Sequence, residues 1–271
     1  MKGGNLDQQT ITSRENPLLQ RARAVRDGRE TDLIFVEGLR LCEEALRSNL
    51  KVEAVIYSDE LAEKERAKTF LARVAPVTSR LAAVSERLLG TISYTKTPQG
   101  IVLLATRPQA EQFDVSASKN PLLVVMHRIN NPVNVGAILR TAEAAGATGA
   151  IATSHTTDPF SPKSLRGAMG SAFRLPIWSG PSYEDVINWC AQNEIHTIGA
   201  DAAGSTDYTA VAWSQSCALI LGPESAGLSE AELKLTSQTV KVPMKGSVES
   251  LNVAVTAGVL LYEAARQRSF V

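Results

Sequence analysis

Four short runs that lack the alternation of a half-exposed strand govern what this chain can fold into: Leu122-Leu123-Val124-Val125-Met126, Gly149-Ala150-Ile151-Ala152, Ile195-His196-Thr197-Ile198-Gly199 and Cys217-Ala218-Leu219-Ile220-Leu221. A strand with one face in water alternates apolar and polar residues, whereas these runs ask for burial on both faces, as in the centre of a parallel sheet. Helices are predicted between them, near 134–146, 162–172 and 182–193. Strands that alternate with helices predict an α/β fold with a doubly wound, mostly parallel sheet. In such a sheet, ligands collect in the loops that follow the strands.

The first hundred residues or so repeat the alternation on a smaller scale. Leu33-Ile34-Phe35-Val36-Glu37 reads as a strand ended by Gly38, and Leu39–Ser48 carries apolar residues at helical spacing. Strands are predicted at Val52–Tyr57 and Gly100–Ala105, and helices at Glu60–Ala75 and Val84–Leu89. The polar stretch 106–120, with Pro108 and a Ser118-Lys119-Asn120 end, is the expected linker. A chain of 271 residues suits this division into a small α/β domain at 1–105 and a larger one at 121–271.

Lys and Arg number 28, and Asp and Glu 28, so the whole-chain charge carries no nucleic-acid footprint. A local basic excess lies on a predicted helix from Pro17 to Asp27, where Arg21, Arg23 and Arg26 are candidate phosphate contacts; a merely solvated face is an equal alternative. Cys42, Cys190 and Cys217 have no paired spacing and read as reduced thiols in a cytoplasmic-type compartment. His127, His155 and His196 are scattered, so no metal site is expected. The start, Met1 to Gln9, has no apolar run of a secretory signal, and no apolar stretch approaches the roughly 20 residues of a membrane span. Gly-x-Gly-x-x-Gly and Walker signatures are absent, which weakens a nucleotide-binding enzyme of other chemistry.

Three segments of the larger domain could carry chemistry. In Asn131-Pro132-Val133-Asn134-Val135-Gly136-Ala137-Ile138-Leu139-Arg140, Asn134 is placed to cap a helix, and Gly136 and Arg140 share one face of it. Arg140 is there to grip a phosphate beside a bare glycine, or else to pair with Glu143. In Leu219-Ile220-Leu221-Gly222-Pro223-Glu224-Ser225-Ala226-Gly227-Leu228-Ser229, Glu224 follows a strand end and is either functional or a solvent-exposed or capping carboxylate. In Val242-Pro243-Met244-Lys245-Gly246-Ser247-Val248-Glu249-Ser250-Leu251-Asn252-Val253-Ala254-Val255, a strand ending at Pro243 turns through Gly246 into a helix capped by Ser250.

In this order and at these separations, the three segments resemble the motifs of the SpoU/TrmH family of RNA ribose 2′-O-methyltransferases, of the SPOUT class, over about residues 121 to 271. Phe35-Val36-Glu37-Gly38 and Thr97-Pro98-Gln99-Gly100 resemble the substrate-binding domain that precedes the catalytic domain in many members, itself similar to a ribosomal-protein RNA-binding fold. The resemblance implies methyl transfer from S-adenosylmethionine to a ribose 2′-hydroxyl of RNA, with ribosomal RNA expected ahead of tRNA. It assigns Asn134, Arg140, Glu224, Ser250 and Asn252 to the active site, and main-chain groups of Leu221, Gly222, Val242, Met244 and Leu251 to the donor pocket. An arginine pKa above about 12 makes a poor general base, so Arg140 is expected to hold phosphate and stabilise the developing alkoxide.

The resemblance also implies a C-terminal trefoil knot, and a homodimer that uses the last helix, where Leu251, Val255, Val259 and Tyr262 form a stripe and Ala254, Ala257 and Gly258 allow close approach. A non-catalytic RNA-binding or ribosome-assembly protein on the same scaffold is the alternative, against which the intact residue set argues. Two positions depart from the family: His127-Arg128 stands where an Asp is common, with a shift in substrate preference as the expected effect, and Ala254 stands where a Ser is common.

Overall fold

The computed structural model of the protein describes residues 8–108, 115 and 118–268. The chain start read for a secretory signal and most of the predicted linker, 106–120, lie outside the described residues. Two compact units are present: the described residues up to Pro108 together with Phe160–Phe173, and the remainder.

In chain order the elements are β1 (Gln8–Ile11), α1 (Pro17–Arg26), β2 (Leu33–Glu37), α2 (Leu39–Arg47), β3 (Val52–Ser58), α3 (Asp59–Ala62), α4 (Glu65–Val74), β4 (Arg80–Val84), α5 (Glu86–Ile92) and β5 (Ile101–Thr106). After them come β6 (Leu122–Met126), α6 (Pro132–Ala144), β7 (Gly149–Ala152), α7 (Pro162–Ala168), α8 (Ser171–Arg174), β8 (Ile177–Ser179), α9 (Tyr183–Gln192), β9 (His196–Ala200), β10 (Thr206–Asp207), β11 (Cys217–Leu221), α10 (Glu230–Lys234), β12 (Gln238–Lys241) and α11 (Val253–Gln267).

The first unit is a five-stranded mixed sheet in the order β1-β4-β3-β5-β2, with β5 antiparallel to both neighbours. α1 starts where Asn16 accepts the Leu18 N–H at 2.9 Å and Pro17 presets the first turn. It buries Leu18, Leu19, Ala22 and Val25, one helical stripe, in a core shared with Phe35, Ile56 and Leu104. Burying each large apolar side chain contributes about 1.5–3 kcal/mol. The predicted helix at 60–75 is two, broken at Glu63 and Lys64. Arg80–Val84, part of which reads as a helix start, is instead a strand between β1 and β3.

The second unit is a seven-stranded sheet in the order β10-β12-β9-β11-β6-β7-β8, and every pairing in it is parallel. β6, β7 and β11 are buried at every position. The helix expected over 162–172 is interrupted by left-handed backbone at Met169 (φ 50°) and Gly170 (φ 97°); its first part, α7, groups with the first unit and lies against β2. The last strand ends at Lys241, before Pro243, because a proline has no N–H for the ladder. α11 buries Ala257, Leu260, Leu261 and Ala264 and packs against α6. Its Val255 and Tyr262 face outward, 51% and 48% exposed.

Candidate active site

The carboxyl ends of β9, β11 and β12 meet the turn into α11 around a cleft of about 660 Å³, lined among others by Asp201, Leu221, Gly222, Glu224, Val242 and Met244. That volume lies within the range of small-molecule sites, and its place beyond the strand ends is the one expected of a parallel sheet. Gly222 makes the tight turn possible, since a Cβ there would lie 2.6 Å from the Leu228 nitrogen. All five predicted donor-pocket residues, Leu221, Gly222, Val242, Met244 and Leu251, line the cleft, as do Asn134, Glu224, Ser250 and Asn252.

Asn134 does not cap its helix. Asn131 does, accepting the Val133 N–H at 2.9 Å, with Pro132 at the first helical position. Asn134 is thereby the third residue of α6, 8% exposed, with its amide turned to the cleft-lining loops. Its Nδ2 donates to Glu224 Oε1, and its Oδ1 accepts from Asn252 Nδ2 at 3.3 Å. Asn252, not Ser250, caps α11: its Oδ1 accepts the N–H groups of Ala254 at 2.9 Å and Val255 at 3.4 Å. A single donor–acceptor direction therefore runs from the start of α11 through Asn252 and Asn134 to the Glu224 carboxylate, and it fixes how both amides are oriented. Ser250 is exposed on the cleft wall and has no hydrogen bond among the described residues. Ala254 keeps its N–H in the cap, so the serine hydroxyl common in the family is not needed to start the helix.

The charged residues that line the cleft are Asp201, Glu224 and Glu249, with no Lys or Arg among the lining residues. Such a wall favours a cationic ligand. The sequence reading missed Asp201, which lies just past a strand it predicted at 195–199; the rule that ligands gather at strand ends was the available signal. Asp201 Oδ1 accepts the Ala203 N–H at 2.7 Å.

Arg140 lies outside this cleft. It is exposed and makes no ion pair among the described residues, while its alternative partner Glu143 is held by Arg174 in a two-point pair of 2.5 and 2.9 Å. Gly136 is buried, so it offers no bare surface to a nucleic-acid backbone. The three arginines of α1 each have a partner within the first unit. Arg21 pairs with Glu30 at 2.6 Å, Arg23 donates to the Arg14 carbonyl at 2.8 Å, and Arg26 binds Asp27 and the carbonyls of Thr91 and Ser93.

His127 is buried at the end of β6, with Nδ1 2.9 Å from the Thr153 hydroxyl and Nε2 3.0 Å from Glu232. Its ring also packs against Tyr183, centroids 4.7 Å apart. So enclosed, its side chain has a role inside the fold: it ties α10, which follows the Glu224 loop, to the sheet. Burial holds its pKa below the ordinary value, with Glu232 pulling the other way. Among the described residues no helix is long and apolar enough to cross a membrane, and no group of three or more His, Cys, Asp or Glu side chains is placed to hold a metal ion. Cys42, Cys190 and Cys217 are buried free thiols, and burial pushes Cys190 up to about 12.

Comparison with known proteins finds that a profile of the SpoU rRNA Methylase family matches residues 121–262, and one of the MRM3-like substrate binding domain matches 18–103. A 23S rRNA (uridine(2479)-2′-O)-methyltransferase of Streptomyces viridochromogenes is 33% identical over 86% of this chain and 83% of its own. The 23S rRNA (guanosine(2553)-2′-O)-methyltransferase RlmP of Bacillus subtilis is 32% identical over 86% of this chain and 88% of its own. Among solved structures, the SpoU methyltransferase AviRb of Streptomyces viridochromogenes, in complex with AdoMet, superposes with a TM-score of 0.84 at 32% identity, covering 94% of this chain and 98% of that one. An AdoMet-bound rRNA methyltransferase of Sinorhizobium meliloti gives 0.80 at 30% identity, covering 95% and 97%.

Proposed function

The chain belongs to the SpoU rRNA methylase family, and we propose that it moves a methyl group from S-adenosylmethionine to a ribose 2′-hydroxyl of ribosomal RNA through the linked side chains of Glu224, Asn134 and Asn252, with Arg140 as phosphate clamp. The observation that carries this reading is the oriented hydrogen-bond chain at the wall of an acid-lined cleft. Ribosomal RNA is favoured over tRNA because the relatives named above act on 23S rRNA.

When bound, S-adenosylmethionine supplies a methyl group already activated on a sulfonium, so binding, orientation and charge are left to the protein. Leu221, Val242, Met244 and Leu251 offer apolar walls and strand-end main-chain groups, and Asp201, Glu224 and Glu249 suit the donor's positive charge. Asn134, held at both ends of its amide, retains one N–H for a ligand oxygen. Glu224 has an oxygen with no partner among the described residues, able to accept a ribose hydroxyl. Arg140 would hold a phosphate and stabilise the alkoxide as it develops.

Because Arg140 lies outside the cleft of its own chain, we assign it to the cleft of a second copy in a homodimer. The exposed Val133 of α6, with Val255 and Tyr262 of the packed helix α11, supports that contact. Residues 1–105 are assigned RNA capture and 121–271 chemistry, a division supported by the two profile matches. The C-terminus is assigned a trefoil knot on the strength of the family match alone. Methylation of ribosomal RNA puts the enzyme where ribosomes are assembled, the cytoplasm in a bacterium.

Replacing Arg140 by Ala should lower single-turnover methyl transfer by about a hundredfold or more, on the scale of losing an oxyanion donor. Donor affinity by calorimetry should stay at the wild-type value. Transfer at the wild-type rate would remove Arg140 from the site, and a monomer by light scattering at micromolar concentration would remove the shared-site dimer.

A further inference from the structure

The arginines that sequence marks as RNA contacts are largely spent inside the first unit, and one of them shows where an RNA contact is built instead. Arg26 reaches from α1 to the carbonyls of Thr91 and Ser93, at 3.3 and 3.2 Å, at the end of α5. From the opposite side, Glu37 at the end of β2 accepts the main-chain N–H groups of Tyr94 at 2.9 Å and Thr95 at 3.2 Å, together with the Ser93 hydroxyl. The Thr95 hydroxyl lies 2.9 Å from the same carboxylate. Opposite charges from α1 and β2 thus brace three consecutive residues before any ligand arrives.

The brace engages main chain and hydroxyls and leaves two side chains outside. Tyr94 is 46% exposed, and Lys96 is exposed with no ion pair among the described residues. A surface tyrosine alone signifies little. Here it stands on a fixed loop, two residues from a cation with no ion pair among the described residues, within a segment that matches a substrate-binding profile at 18–103. Aromatic rings receive bases whose faces are free, and lysines receive the phosphates between them, whereas in a duplex those base faces are covered by their neighbours.

We propose that the loop Ser93–Gln99 docks an unpaired RNA nucleotide, with the base stacked on Tyr94 and the adjoining phosphate held by Lys96. This rests on reading the protein as an RNA methyltransferase. It concerns substrate capture and leaves the methyl-transfer site unchanged.

The test measures affinity for an RNA hairpin with an unpaired loop and for a fully paired duplex, across a salt series, using the full chain. Tyr94→Ala should weaken hairpin binding by about tenfold to a hundredfold, with duplex binding unchanged, and Tyr94→Phe should restore it. Lys96→Ala should lower the salt slope by about one phosphate. Melting curves and donor affinity should match wild type in all three variants. Wild-type hairpin affinity in Tyr94→Ala, or an equal loss on both RNAs, overturns the stacking proposal while the methyltransferase reading stands. A wild-type protein that binds neither RNA overturns both.

Discussion

Glu37 closes the buried strand β2 and Glu224 lies three residues past the end of buried β11, and they have opposite surroundings. Glu37 is half-buried, bound by two main-chain N–H groups and the Ser93 hydroxyl, and positions a loop. Glu224 is exposed on the cleft wall and accepts one hydrogen bond, from Asn134. A carboxylate whose acceptor capacity is taken fixes geometry, and one that is oriented but still open can meet a substrate. What distinguishes the two is how many of their lone pairs the fold already uses, which sequence position does not reveal.

Exchange of the two glutamates for glutamine is the sharpest way to break that contrast. Glu224→Gln should cut single-turnover methyl transfer by about tenfold to a hundredfold while the melting temperature holds, since an exposed side chain with one partner contributes little to stability. Glu37→Gln should do the reverse: it sets an amide against main-chain donors, costs about 1–3 kcal/mol in the first unit, and leaves transfer from the preformed complex near wild type. A stable, active Glu37→Gln or an unfolded Glu224→Gln would invert the comparison.

A smaller effect separates capping from chemistry at Asn252. Asn252→Ala removes both the α11 cap and the donor to Asn134, so stability should fall by about 1 kcal/mol along with the rate. Asn252→Asp retains a capping oxygen but cannot donate, so the melting curve should recover while transfer does not. Recovery of both would mean that the Asn252–Asn134 bond is idle.

The smallest effect is a slope with pH. The folded His127 has a pKa below its ordinary 6.5, so the unfolded chain takes up the proton first as pH falls. The associated stability is full above about pH 6.5 and is lost as pH drops from there towards the folded pKa. Melting curves between about pH 7.5 and about pH 5.5 should therefore drop less steeply in His127→Gln than in wild type. An unchanged slope would place the titration elsewhere.

These contrasts also indicate how much could be read in the chain. The central strands were legible because Leu122–Met126 and Cys217–Leu221 carry no polar residue, a pattern few other arrangements tolerate. Edge strands such as Thr206–Asp207 and Ile177–Ser179 are short and mixed, so no periodicity marks them. The cleft residues were legible as motif positions, yet two caps were misplaced: Asn131 and Asn134, and Ser250 and Asn252, are equally good capping residues, and only the folded path chooses between them. For Asn131 the following Pro132 was a usable signal. The reach of Arg21 to Glu30 and of Arg26 to the Thr91 and Ser93 carbonyls was not legible, because those partners lie 9 and more than 60 residues away.

The most direct measurement of the central claim is to incubate the protein with ribosomal RNA and S-adenosylmethionine carrying a labelled methyl group, digest the RNA to nucleosides and locate the label by mass spectrometry. The expected result is label on the ribose of one nucleoside, lost in Asn134→Ala although that variant still binds the donor. Label on a base, or ribose label undiminished in Asn134→Ala, would contradict it.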